Sequence, residues 1–87
     1  MHTDEYEISL SRELNVCEKK IKKIRQVLIG LEMKYKMKTE VFVTELSSGN
    51  IAGQKEDFDV WIREYEALKK WEALRDQYAD LLKKMKI

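Results

Sequence analysis

From Leu10 onward the apolar positions fall at Leu10, Leu14, Cys17, Ile21, Ile24, Leu28, Leu31 and Tyr35, spaced 4, 3, 4, 3, 4, 3 and 4 residues apart without a fault. That alternation is a heptad seam, the mark of a long helix lying lengthwise on another. Val27 widens the stripe toward a globular face. The pattern predicts a first helix over roughly 4–36, about 50 Å long at 1.5 Å per residue. Gly30 lies inside it and costs up to about 1 kcal/mol against Ala. A close helix–helix approach at that point would explain its presence.

A second amphipathic stretch covers 56–86. Its apolar face runs Phe58, Trp61, Tyr65, Leu68, Trp71, Leu74, Tyr78, Leu81 and Met85, broadened by Ile62 and Leu82. The spacing again predicts a long helix. Between the two stretches, Thr39 followed by Glu40 reads as an N-cap with an acid in the first turn. Phe42 and Leu46 share one helical face, and Ser47-Ser48-Gly49 ends the turn, so a short helix near 39–47 is predicted. The run Val41-Phe42-Val43 has the composition of a strand, but no other segment offers it a pairing partner. Asp57, or a residue just before it, is expected to cap the last helix.

Charge sets the orientation. In an antiparallel hairpin Asp4, Glu5 and Glu7 would lie beside Lys83, Lys84 and Lys86, and Lys34, Lys36 and Lys38 beside Glu56, Asp57 and Asp59. Lys19, Lys20, Lys22, Lys23 and Arg25 would face Glu64, Glu66 and Glu72. A parallel arrangement would instead set acid against acid. Each exposed pair contributes only about 0–1 kcal/mol, but together they can fix direction. The expected architecture is all-α: one domain over 1–87, a long antiparallel helical hairpin with a short helix in the connection, completed to a bundle by self-association.

Composition agrees. The 87 residues include no proline and three glycines, and 38% are charged, as in a chain made mostly of helix. That length is short for a self-sufficient core. The net charge of +1 gives no global attraction to nucleic acid or anionic membrane. One cysteine, Cys17, cannot form an internal disulfide and fits a reducing compartment. The opening MHTDEYEISL is acidic and lacks the basic-then-apolar layout of a signal peptide. No apolar run reaches the ~20 residues that span a bilayer. A cytoplasmic location is expected.

The candidate chemistries are few. The segment ELSSGNIAGQKED at 45–57 brings Gly49, Gly53 and Lys55 together. A phosphate-cradling loop needs G-x-x-x-x-G-K-[ST] after a buried strand. Here the glycines enclose only three residues, Gln54 precedes Lys55, and Glu56 stands where Ser or Thr is required; the segment reads as a hinge. Cys17 lies on the seam, and the sole histidine, His2, is remote from it, so no thiol–imidazole pair and no zinc set is expected. The carboxylates alternate with lysines, as on solvated helix faces. Thus no catalytic residue, cofactor or metal is expected, and the chain is not read as an enzyme.

Two binding functions remain. The run EKKIKKIRQ at 18–26 gathers Lys19, Lys20, Lys22, Lys23 and Arg25, which could engage nucleic-acid phosphates. The leading expectation is a protein-interaction module. Phe58, Trp61, Tyr65 and Trp71 make the last helix broader in apolar surface than one partner helix can cover, and such aromatic residues are the usual anchors of interfaces. The expected partner is a second copy of the chain or another protein, not a membrane or a small molecule.

The stretch Lys34-Tyr35-Lys36-Met37-Lys38-Thr39-Glu40-Val41-Phe42, followed by Leu46, Gly49, Asp57-Phe58, Trp61 and Tyr65, resembles a group of small helical prokaryotic proteins. Their pattern is roughly K-Y-G-M-S-S-E-E-F, a short gap, then acidic-aromatic-x-x-W-x-x-x-Y. Members are often encoded beside a toxin gene, so the resemblance implies an antitoxin-like partner protein, with no catalytic residue to carry over. It covers about 34–65. Lys36 stands where that pattern has the glycine that ends the first helix, and Val41 where an acid is usual. Without the glycine, the resemblance does not require a sharp end after Tyr35.

Overall fold

The computed structural model describes residues 5–85. Three helices follow in order: α1 Glu5–Tyr35, α2 Thr39–Ser48 and α3 Lys55–Met85. α1 and α3 pack along their length as an antiparallel hairpin, with α2 folded against its closed end. Asp4, Lys86 and His2, used in the sequence argument, lie outside the described residues.

The heptad seam is the face α1 buries: Leu10, Cys17, Ile21, Ile24, Leu28 and Leu31 are all buried. At the closed end Ile24, Leu28 and Leu31 meet Phe42 of α2 and Trp61 of α3 in one cluster, and Phe42 and Trp61 have no exposed surface. Their rings stack with centroids 3.9 Å apart and planes 3° from parallel. At the open end the buried apolar residues among those described are Leu10, Cys17 and Ile21 on α1 and Leu82 on α3. The core therefore thins along the rod.

Three sequence expectations are corrected here. Gly30 is exposed, and a Cβ built on it would meet no atom within 4 Å, so no close helix approach accounts for it. Thr39 is not the cap of α2 but its first residue; Lys38 precedes it with extended backbone and offers no capping side chain. Asp57 does not cap α3 either, lying within its first turn; the helix instead starts from Gln54, whose carbonyl accepts the Phe58 N–H at 3.2 Å.

Both breaks in the chain use left-handed residues. Lys36 has φ +53°, and the Met37 N–H returns to the Glu32 carbonyl at 3.0 Å. Gly49 has φ +73°, with its N–H to the Leu46 carbonyl and the Asn50 N–H to the Glu45 carbonyl, both 3.1 Å. These are Schellman closures, which satisfy the last carbonyls of a helix. α1 thus ends sharply after Tyr35 although lysine, not glycine, takes the strained position. Gly53 has a different constraint: a Cβ there would lie 2.6 Å from Phe58 Cζ and 2.9 Å from Tyr35 Cε1. The connection is pressed onto two aromatic rings and has no room for a side chain.

Candidate functional site

The expected anchors separate into core and surface. Trp61 is the centre of the core, not an edge: with 0% of its surface exposed it offers a partner nothing. Its indole N–H donates to Thr39 Oγ1 at 3.0 Å. The Thr39 hydroxyl donates in turn to Glu32 Oε2 at 2.7 Å, and the Thr39 N–H reaches the same oxygen at 2.8 Å. One carboxylate on α1 thereby caps α2, and one hydroxyl on α2 satisfies the buried indole of α3. A buried N–H without a partner would cost about 1–3 kcal/mol, which explains why Thr39 is itself buried. The hydrogen bonds from Thr39 hold the Glu32 carboxyl below its ordinary value.

A second clamp closes the hinge from outside. Lys34 Nζ and the Tyr35 hydroxyl both donate to Asp57 Oδ2, at 2.7 and 2.6 Å. The carboxylate is held below its ordinary value by Lys34 and then Tyr35, while the lysine and the phenol are both raised by their bonds to it. Tyr35 and Phe42 also pack against Phe58, with centroids 5.6 and 5.2 Å away. Phe58 therefore works mainly as the lid of this aromatic cluster and remains half-buried. Sequence reasoning found one arm of the second clamp and none of the first. The pairing of Lys34 with Asp57 was legible in charge, but Glu32 to Thr39 depends on how α2 folds back.

Tyr65 and Trp71 are half-buried and lie on opposite sides of the hairpin. Tyr65 shares a groove with Arg25, Ile29, Glu32 and Thr39, and Lys69 Nζ sits 4.5 Å over its ring. Trp71 lines the other groove, opposite Lys20, Lys23 and Val27, with Glu64 and Ala67 beside it. Beyond Trp71, the residues Leu74, Tyr78, Leu81 and Met85 continue along α3, each half-buried. With Val60, Glu64 and Ala67 they form a second heptad, 60, 64, 67, 71, 74, 78, 81 and 85, offset from the buried Trp61 and Leu82. The sequence listing of one broad apolar face did not separate this stripe from the two buried residues.

The expected cross-helix pairing of the basic run is met at Arg25 and not at the four lysines. Arg25 pairs with Glu72 at 2.6 Å. Among the described residues Lys19, Lys20, Lys22 and Lys23 form no ion pair, so their expected partners Glu64 and Glu66 do not neutralise them. At the open end Lys84 pairs within its own helix, with Asp80 at 3.1 Å, and not with Glu5 or Glu7. Cys17 is buried and its thiol is pushed up by that burial, as befits a packing residue. Among the described residues no group of three metal-ligating side chains gathers, and no helix is long and apolar enough to cross a membrane. The chain matches no protein family, no curated protein and no solved structure.

Proposed function

We propose that this chain is a small non-enzymatic protein-interaction module whose working surface is the Trp71 side of α3. One observation carries the proposal. Six of the eight α1 seam positions are buried, whereas Trp71, Leu74, Tyr78, Leu81 and Met85 of the α3 stripe each keep part of their surface exposed. A regular heptad stripe left half wet is the surface expected to take another helix. Phe58 and Trp61, expected as anchors, are assigned instead to holding the hairpin shut.

The more specific form of the proposal is an antitoxin-like role, the neutralising member of a toxin–antitoxin pair. Its support is the resemblance over 34–65, together with the backbone at Lys36. The φ of +53° there is the conformation that the glycine of that pattern would supply. The test is co-purification with the product of the neighbouring gene, comparing the natural chain with Leu74→Glu. Loss of capture with helicity unchanged is the expected result. Equal capture by both proteins would remove the α3 surface from the proposal, and an unrelated neighbouring gene would remove the antitoxin-like form.

A second reading has its own observation. Lys19, Lys20, Lys22 and Lys23 are exposed along one helix with no carboxylate paired to them among the described residues. Nucleic-acid contact through them would weaken by orders of magnitude between about 50 and 200 mM salt. Salt-insensitive binding, or none at low salt, would reject it.

A further inference from the structure

We infer that the occupant of the half-covered α3 stripe is a second copy of this chain, docked α3 against α3 in antiparallel fashion about a two-fold axis passing between Trp71 and Leu74. The inference rests on the interaction-module reading above and specifies its partner.

The stripe is its own mirror in spacing. From Val60 to Met85 the steps are 4, 3, 4, 3, 4, 3 and 4, the same from either end. A two-fold contact needs a surface that matches itself when reversed, and the spacing of this stripe meets that condition. Reversal sets Trp71 against Leu74 at the centre, Ala67 against Tyr78, Glu64 against Leu81, and Val60 against Met85, so Glu64 must turn its carboxylate to the rim of the contact. The small alanine opposite the large tyrosine gives the alternation in size that close packing of facing helices requires.

Charge permits the same arrangement. On the outer edge of the stripe Asp59 and Arg63 lie one turn apart near one end, and Asp80 and Lys84 one turn apart near the other. Antiparallel docking brings these four together at each end as two cations and two carboxylates.

Area points the same way. The chain exposes 6710 Å² for a mass of 10.4 kDa. A compact monomer of that mass exposes about 5400 Å², so about 1300 Å² is in excess. A standard interface takes about 800 Å² from each partner. The shape is consistent with that excess: the radius of gyration is 17.2 Å, against about 12 Å for a globule of this length.

The test uses the purified full-length chain. Sedimentation at micromolar concentration should give twice the 10.4 kDa chain mass, and Leu74→Glu should reduce it to one chain with the helical circular dichroism retained. A spin-label measurement in an otherwise natural stripe covers the case in which that variant unfolds. With Cys17→Ala and a single label at Lys70 or Lys84, two-fold symmetry offsets the paired labels along the axis by about 8 Å and about 35 Å respectively, at 1.5 Å per residue. A short distance at 70 with a long one at 84 supports the inference. Short distances at both, a dimer indifferent to Leu74→Glu, or a natural chain that stays monomeric would each overturn it. A monomer that still captures the neighbouring gene product through Leu74 would leave the interaction reading standing. A monomer that captures nothing would remove both.

Discussion

Lys36 shows how a single backbone angle sets the fold. A non-glycine residue in the left-handed region costs of the order of 1 kcal/mol, and here it is held by the Met37-to-Glu32 closure. Lys36→Gly should therefore raise stability by about 0.5–1 kcal/mol, part of the gain being offset by a more flexible unfolded chain. Urea melts will check it, and a destabilised variant would mean that the lysine side chain contributes something the structure does not show. Glu32 makes a second residue-scale prediction. Its folded pKa lies below the ordinary value of 4.5, so the unfolded state binds the proton more readily. The associated stability is fully present above that range and is lost as pH falls through the folded value. Asp57, depressed by Lys34 and Tyr35, acts in the same direction. Stability of the natural protein should fall on acidification from about pH 5, and Glu32→Gln should flatten part of that fall. Identical pH profiles would show that the Thr39 bonds do not discriminate between the charged and neutral acid.

At the scale of elements, the hinge separates a space-filled position from an inert one. Gly53→Ala must displace Phe58 or Tyr35, whose ring atoms lie 2.6 and 2.9 Å from the new methyl group, and the typical penalty for overpacking is about 1–3 kcal/mol. Lys55→Ala, at the exposed start of α3, should leave the melt within about 0.5 kcal/mol of the natural chain. Equal effects of the two substitutions would contradict the packing described. The three helices were legible because periodicity is a local property: from Leu10 to Leu31 every seam position is buried except Leu14, which is half-buried. Cap identities were not legible, since Thr39 has the chemistry of a cap yet spends its hydroxyl on Glu32 and Trp61. Nor was the restriction of full burial on α3 to Trp61 and Leu82, with the rest of its apolar face partly exposed. Apolar spacing gives the width of a face, but only the position of α1 shows where along that width the cover stops. Charge patterning identified the antiparallel direction through Lys34 to Asp57 and Arg25 to Glu72, while the lysines of 19–23 follow no cross-helix rule.

The whole molecule is a rod of 60 × 19 × 17 Å with its apolar mass at one end. The Ile24, Leu28, Leu31, Phe42 and Trp61 cluster joins three helices, whereas the far end is two helices sharing Leu10, Cys17, Ile21 and Leu82. Local opening free energy follows buried apolar contact, so amide exchange should be slowest around Phe42 and Trp61 and faster toward Leu81. If α3 pairs with a second copy, that gradient acquires a concentration dependence, because association stabilises by mass action only the groups it covers. Dilution should then accelerate exchange along Leu74 to Met85 while leaving the Trp61 turn unchanged until the whole hairpin opens. Exchange that slows evenly along the rod, or a Leu81 segment indifferent to dilution, would show that the thin end is closed within one chain. In that case the half-covered stripe would have no role in holding the molecule together.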